Sequence, residues 1–212
     1  MTSPAQPIRL HGFPLSGHCH RVQLFLALLQ LPAEMIKVDL PGGAHKAPGF
    51  LALNPFGQVP VIEDGGHVLA DSNAILVYLA SRYDRTGSWY PRDPQLAAEV
   101  QRWLSVAAGP LASGPARARL AVLFGLAFDV AQARSEARQL FAVLDAHLAT
   151  RDFLVGAAPT IADIALYTYT AHAPEGGLPL DPYPHLRAWL ARVEALPGFV
   201  GMQRTPTPAA AA

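Results

Sequence analysis

The chain has 212 residues, 16 basic and 16 acidic side chains, a formal net charge of +0 and one cysteine. This length allows one large domain or two small ones, and the absence of a basic cluster argues against a nucleic-acid or membrane-surface partner. No apolar run reaches the roughly 20 residues of a membrane span, and MTSPAQPIRL lacks the pattern of a secretory leader. The neutral charge favours small molecules or proteins as partners. A lone Cys19 excludes an internal disulfide, so we expect a cytoplasmic protein.

Residues 1–84 alternate short β-type runs with helix-like stretches. The run IRLHGF precedes the helical HRVQLFLALLQL, and EMIKVDL follows it. After a turn-rich segment, VPVIED and HVLA read as two strands around the turn Asp64-Gly65-Gly66. The helix SNAILVYLASRY then begins at Asp71-Ser72, which are good N-cap residues. This order predicts a small α/β domain.

The strand signals end near residue 94, and the rest of the chain is rich in Ala and Leu at helical spacing. The predicted helical stretches are 95–112, 115–149, 161–171 and 184–196. We therefore predict an all-α helical bundle over 95–212, joined to the first domain by a linker at 85–94, where one Gly and two Pro interrupt the pattern. Thr160 and Asp163 have the spacing of a capping box, which is a folding device.

The stretch FPLSGHCHRV runs from the first strand into the first helix. Ser16 falls at or just before the helix start, where free N–H groups and the helix dipole would stabilise a thiolate, although its spacing alone favours a plain N-cap. Ser16-Gly17-His18-Cys19 also has the spacing of a C-x-x-C motif without its first cysteine. Because a lone cysteine in a helix is usually a small buried apolar residue, redox chemistry is the alternative here.

The histidines of this region do not predict a metal site. His18 and His20 are two apart on a helix and point roughly 200° away from each other. Together with His11 we interpret them as ordinary polar or partly buried side chains. Since no Cys/His cluster has zinc spacing, we predict that no metal is bound.

Two further segments carry groups that suit a charged ligand. His45, Lys46 and Gln58 could supply positive charge and donors to a carboxylate, the alternative being a solvated loop. Asp71-Ser72 either caps its helix or holds a ligand that has both a carboxylate and an ammonium group.

The head of the strand VPVIED contains a proline, which cannot donate a hydrogen bond to a sheet. If the Val59-Pro60 bond is cis, the backbone of Val59 would face a cleft rather than a neighbouring strand.

Four stretches, in their order and spacing, resemble the cytosolic glutathione transferase family. They are LHGFPLSGHCHRV, HKAPGFLALNPFGQVPVIEDGG, LADSNAILVYL and PTIADIALY, within residues 8–200. The likeness is greatest to the serine-type, phi- and theta-like classes, in which an arginine follows the serine five residues later, as Arg21 follows Ser16. The resemblance implies a thioredoxin-like N-terminal domain and an all-helical C-terminal domain, usually in a homodimer.

The resemblance also implies a role for individual residues. Ser16 would donate its hydroxyl to the glutathione sulfur and favour the thiolate, and Val59, before Pro60, would pair its backbone with the cysteinyl part. The other implied glutathione contacts are Asp71 and Ser72 at the γ-glutamyl end and His45, Lys46 and Gln58 at the glycyl carboxylate. An apolar pocket for the electrophile is expected from Phe13, Leu15 and Leu111.

The expected activity is conjugation of the glutathione thiolate to hydrophobic electrophiles, with glutathione as co-substrate. A glutathione-dependent peroxidase or disulfide reductase is the alternative within the same fold. Because a fold does not determine a function, a non-catalytic glutathione-binding regulatory protein is a further alternative.

Overall fold

The computed structural model describes residues 4–206, which fold into two compact units. The first unit runs to Pro91 and also includes Leu196–Met202, whereas the second begins at Arg92 and resumes at Gln203. The change of unit after Pro91 lies inside the segment interpreted as a linker, whereas no sequence pattern predicted that 196–202 returns to the first unit. Within residues 4–206, no helix is both long enough and apolar enough to cross a membrane.

A four-stranded mixed sheet forms the centre of the first unit, with the strand order β2-β1-β3-β4. Its strands are β1 (Ile8–Gly12), β2 (Ala33–Lys37), β3 (Val61–Asp64) and β4 (His67–Ala70). β1 pairs in parallel with β2 and antiparallel with β3. The parallel pair requires a crossover connection, which a helix supplies. This arrangement confirms the expected thioredoxin-like α/β unit.

Three helices accompany the sheet: α1 (Gly17–Leu28), α2 (Pro48–Leu53) and α3 (Ser72–Tyr83). α2 lies in a segment that we interpreted only as turn-rich. Pro48 at its first position is compatible with a helix start, and Phe50 packs in a cluster with Val38 and Val61. Burial of Phe50 therefore stabilises a short helix where the Gly- and Pro-rich sequence suggested none.

The second unit is built from helices, as predicted for the C-terminal domain. They are α4 (Pro94–Ala108), α5 (Arg117–Phe124), α6 (Val130–Leu148), α7 (Ile161–Ala171) and α8 (Pro184–Glu194). The capping box predicted at the start of α7 is confirmed, because the Thr160 and Asp163 side chains each bond a backbone N–H at the opposite end of the box.

The prediction of helical structure over the whole of 115–149 was wrong in its middle. α5 ends at Phe124, and Gly125 takes the left-handed φ of +64° that commonly closes a helix. α6 then begins after Asp129, whose side chain accepts a hydrogen bond from the Gln132 N–H at 2.9 Å. A glycine stop and an aspartate start thus divide a stretch whose composition is helical throughout.

Candidate functional site

A cavity of about 510 Å³ lies in the first unit, where three segments of the chain come together. Its wall contains His18 from α1, the loop residues Leu53, Asn54, Pro55, Phe56, Gln58, Val59 and Pro60, and Ala70, Asp71 and Ser72 at the start of α3. Five of the residues expected to bind glutathione are therefore brought together around one space: Gln58, Val59, Pro60, Asp71 and Ser72. Ser16, His45 and Lys46 are not part of this wall.

The loop before Val59 is held in shape by the buried side chain of Asn54. Its Oδ1 accepts a hydrogen bond from the Phe56 N–H at 3.1 Å, and its Nδ2 donates to the Gln58 carbonyl at 2.8 Å. Gly57 has a φ of +59°, which an L side chain rarely adopts. A single asparagine and a glycine thus fix the backbone that leads into the cavity.

The backbone of Val59 borders the cavity beside Pro60, and the peptide bond between them is cis. Within residues 4–206, neither backbone group of Val59 has a hydrogen-bond partner. A free N–H and a free C=O on one residue can pair with an extended peptide as an added strand would. The geometry therefore suits a peptide-like ligand.

Asp71 caps α3 with one carboxylate oxygen. Its Oδ1 accepts hydrogen bonds from the N–H groups of Asn73 and Ala74, both at 2.9 Å. Asp71 also has a φ of +71°, which is unusual for a residue other than glycine and is often found at functional sites. The carboxylate is exposed at the cavity wall, so the capping role and a ligand role are compatible.

Ser72 is buried, and its hydroxyl accepts a hydrogen bond from α1. The guanidinium of Arg21, itself 1% exposed, donates from Nη1 to the Ser72 Oγ at 2.8 Å and to the Asn73 Oδ1 at 2.7 Å. Arg21 thereby holds the start of α3 against α1. This explains structurally why an arginine lies five residues after Ser16.

His18 is one of the wall residues that sequence reasoning missed, because we interpreted it as an ordinary polar side chain. Its Nδ1 lies 3.3 Å from the Ser72 Oγ, within hydrogen-bond distance. Burial, with a smaller contribution from the Arg21 guanidinium, lowers the pKa of His18 from 6.5 to about 3. The imidazole is therefore neutral at physiological pH. Its place in the first turn of α1, two residues after Ser16, was the available signal.

Ser16 is the N-cap of α1, as one of the two sequence interpretations held. Its Oγ accepts a hydrogen bond from the Cys19 N–H at 3.3 Å, and the side chain is half-buried. A hydroxyl can accept two hydrogen bonds and donate one. Capping therefore leaves the Ser16 O–H able to donate to a ligand.

Cys19 lies 1% exposed in the first turn of α1 and accepts a hydrogen bond from the Phe13 N–H at 3.4 Å. Burial raises the pKa of its thiol to about 11, and the bonds from Ser16 and Phe13 offset this only in part. The thiolate is the reactive form, so this cysteine is held in its unreactive state at neutral pH.

Lys46 supports the loop rather than the cavity wall. Its Nζ donates to the carbonyl oxygens of Phe56 and Gly57, both at 3.4 Å. His45 and Lys46 belong to a short 3₁₀ helix, Ala44–Lys46, in which His45 is half-buried.

The residues expected in an electrophile pocket lie in both units. Phe13 and Leu15 are half-buried in the first, and Leu111 is fully buried in the second.

The two other histidines near Ser16, His11 and His20, have structural partners, in agreement with their interpretation as ordinary side chains. His20 donates from Nε2 to the Val200 carbonyl at 2.9 Å, and the His11 Nε2 lies 2.6 Å from the Glu63 Oε1. In the part of the chain that the structure describes, no three His, Cys, Asp or Glu side chains are grouped as metal ligands.

Two family models match the chain. Residues 15–82 match the model described as "Glutathione S-transferase, N-terminal domain", and residues 115–197 match "Glutathione S-transferase, C-terminal domain". The first match contains every wall residue of the cavity.

Relatives of known name are similar over nearly the whole chain. Glutathione S-transferase 3 of Zea mays is 40% identical over 204 residues, covering 91% of each chain. Glutathione S-transferase theta-1 of Rattus norvegicus is 34% identical, covering 87% of this chain and 81% of its own.

Solved structures of glutathione transferases are also similar to this chain over most of its length. A glutathione S-transferase from Pseudomonas fluorescens superimposes with a TM-score of 0.88 at 34% identity, covering 93% of this chain and 99% of its own. A glutathione transferase homolog from Drosophila mojavensis, solved with bound glutathione, has a TM-score of 0.82 at 29% identity, covering 90% of this chain and 89% of its own.

Proposed function

The chain belongs to the glutathione S-transferase family and is a glutathione transferase, and we propose that it conjugates the glutathione thiolate to hydrophobic electrophiles with Ser16 as the catalytic residue. The observation that carries this proposal is the cavity of the first unit, whose wall presents the Val59 backbone, Asp71 and Ser72 together. These groups match the parts of γ-Glu-Cys-Gly: an ammonium, a carboxylate and a peptide backbone.

The γ-glutamyl end is proposed to bind at the start of α3. The Ser72 hydroxyl, at the first residue of the helix, suits the α-carboxylate, because the helix dipole favours an anion there. The exposed Asp71 carboxylate suits the ammonium group, with which it forms a charge-assisted hydrogen bond. In this proposal the γ-glutamyl end is recognised through both of its charges.

The rest of the tripeptide is proposed to lie along the loop. The free N–H and C=O of Val59 pair with the cysteinyl residue, which then binds as a short added strand. His45, Lys46 and Gln58 are proposed to contact the glycyl carboxylate. Gln58 is exposed on the cavity wall and offers amide donors for that purpose.

Thiol activation is the proposed chemical step. A free thiol with a pKa near 8.5 is only about 3% ionised at pH 7, and a hydrogen bond together with a helix N-terminus lowers such a pKa by about one or two units. The Ser16 O–H lies at the N-terminus of α1, where both effects act. The thiolate then forms a carbon–sulfur bond to the electrophile, which loses its leaving group or takes up a proton.

The electrophile is proposed to contact Phe13 and Leu15, which lie just before Ser16 in the first unit. These side chains are apolar and suit a hydrophobic substrate. Leu15→Ala should then raise KM for the electrophile while KM for glutathione stays the same.

We also propose that the protein is a cytoplasmic homodimer that acts in detoxification. Phe56 in the first unit is 80% exposed and Val143 in the second is 61% exposed. Burial of Phe56 against a second copy of the chain would remove a large apolar side chain from water. Sedimentation analysis of the wild type and of Phe56→Ser tests the dimer, which the substitution should weaken.

The decisive test of catalysis compares Ser16→Ala with Ser16→Thr. The alanine variant loses the donor, so kcat/KM with an aryl halide should fall at least about tenfold, in keeping with loss of one hydrogen bond to a charged group. The threonine variant keeps the hydroxyl and should keep most of the activity. Equal activity of the alanine variant and the wild type would remove Ser16 from the mechanism.

The same preparations separate the alternative functions. Greater turnover of a peroxide or a mixed disulfide than of aryl halides would indicate a glutathione-dependent peroxidase or reductase. Retention on immobilised glutathione without turnover of any electrophile would indicate a binding protein.

A further inference from the structure

Three side chains form a connected hydrogen-bond network at the γ-glutamyl end of the cavity. Arg21 donates to the Ser72 Oγ at 2.8 Å, and the same oxygen lies 3.3 Å from the Nδ1 of His18. Ser72 is 4% exposed, and both Ser72 and His18 line the cavity. The expected set of glutathione contacts contained Ser72 but not His18.

The hydrogen-bonding capacity of a hydroxyl limits what this network can do. The Ser72 oxygen has two acceptor sites and one proton. Arg21 occupies one acceptor site. If the His18 Nδ1 carries a proton and donates it, the second acceptor site is also filled. The Ser72 proton is then left for a third partner.

We propose that His18 is a positioning residue of the glutathione site, which donates from Nδ1 to the Ser72 oxygen and so directs the Ser72 O–H at the α-carboxylate of the γ-glutamyl group. This inference rests on the proposed function, because it takes glutathione to be the ligand at Ser72. The opposite tautomer would accept the Ser72 proton and turn an oxygen lone pair toward the carboxylate. An anionic ligand therefore selects the Nδ1–H form.

The electrostatics of His18 are compatible with this role. Since burial and Arg21 lower its pKa to about 3, the imidazole stays neutral above pH 5. A neutral ring changes tautomer without adding charge to the site. His18 acts through Ser72 and has no part in the chemistry at sulfur.

The test uses two substitutions at one position. His18→Ala removes the donor, whereas the amide of His18→Asn places an N–H where Nδ1 was. Titration calorimetry measures the Kd of glutathione for each variant, and steady-state assays separate KM from kcat. We expect Kd and KM for glutathione to rise about three- to tenfold in the alanine variant, while kcat at saturation stays within about twofold. The asparagine variant should return both constants to within about twofold of the wild type.

A second probe separates positioning from a general loss of structure. 4-Aminobutanoyl-Cys-Gly is glutathione without the α-carboxylate of its γ-glutamyl group. Because that analogue lacks the carboxylate to which the Ser72 O–H would donate, the wild type and His18→Ala should bind it equally. Thermal unfolding of the variants, measured alongside, reports whether they fold.

The outcomes of these experiments differ for the two proposals. Equal glutathione affinity of the wild type and His18→Ala overturns the positioning role, and so does an asparagine variant as weak as the alanine variant. Equal weakening of the truncated analogue also overturns it. Failure of the wild type itself to bind glutathione contradicts the proposed function instead.

Discussion

Each unit completely buries an arginine, but the two arginines bind to different kinds of group. In the second unit, Arg119 is 0% exposed and donates from Nε to the carboxylate of Glu175. The other Glu175 oxygen accepts from the Thr205 N–H at 3.0 Å and lies 2.8 Å from the His172 Nδ1. In the first unit, Arg21 donates to neutral side-chain oxygens at the edge of a cavity.

This difference shows which buried polar groups serve only the fold. Both oxygens of Glu175 bind groups of the second unit, and the carboxylate is buried, so that cluster stabilises the fold. The bonds of Arg21 also hold two helices together, but they end on Ser72, which lines the cavity. Changes around Arg119 should therefore alter stability alone, whereas changes around Arg21 should alter stability and glutathione binding together.

The largest expected effect is on stability, from Glu175→Gln in the second unit. Loss of the carboxylate leaves Arg119 as a buried cation without its carboxylate partner, which typically costs about 3–5 kcal/mol. Chemical denaturation measures the loss, and the folded fraction should keep its KM for glutathione. The double variant Arg119→Met with Glu175→Leu should recover much of the stability. A cost below about 1 kcal/mol in the single variant would contradict the assigned role of the pair.

Acid should destabilise the protein through His18 in the first unit. The native ring has a pKa of about 3 whereas the unfolded ring has 6.5, so the unfolded state binds the extra proton first as pH falls. Stability from this source is complete above pH 6.5, and about 2 kcal/mol of it is lost between pH 6.5 and 4.5. Denaturation curves at a series of pH values should show a smaller loss for His18→Asn. Parallel pH dependences for the two proteins would disprove this.

Asp71→Asn should separate the two functions of Asp71. Asparagine caps a helix as well as aspartate and tolerates a positive φ, so stability should change by less than about 0.5 kcal/mol. The charge proposed to pair with the glutathione ammonium is lost, so KM for glutathione should rise about tenfold. Asp71→Ala is the matched variant, and it should lose about 1 kcal/mol of stability as well. If Asp71→Asn keeps the wild-type KM, Asp71 is a cap only.

The smallest effect on activity is expected from Cys19→Ala. With a pKa of about 11, roughly 0.1% of the thiol is ionised at pH 8. Conjugation should therefore change less than about twofold, at a stability cost of about 1 kcal/mol. In the native wild type, a thiol reagent should react only after denaturant is added. Rapid labelling of the folded protein would restore the redox alternative.

Much of the fold could be predicted because its signals are local. The hairpin follows from Gly65 and Gly66, whose φ values of +55° and +87° suit the turn. The start of α7 follows from its capping box. The helix α2 was missed because its stability comes from Phe50 packing against distant residues, which no local pattern records.

The candidate site could be predicted only in part, because some of its contacts join residues that are distant in sequence. Val59, Asp71 and Ser72 lie in recognisable motifs, and the structure places all three on one cavity. The role of His18 depends on a contact across 54 residues of sequence. Helical spacing could show that His18 and His20 diverge, but not that one of them faces Ser72.

The return of Leu196–Met202 to the first unit has a consequence for synthesis. Val200 accepts a hydrogen bond from His20, and a Cβ on Gly198 would lie 3.1 Å from the Ala27 carbonyl oxygen. A ribosome makes the N-terminal unit first, but these contacts form only after the last helix has been translated. The nascent thioredoxin-like unit therefore lacks the contacts of 196–202 until the helical unit has been synthesised. A gene fragment that stops at residue 91 encodes a unit that lacks its final closing segment.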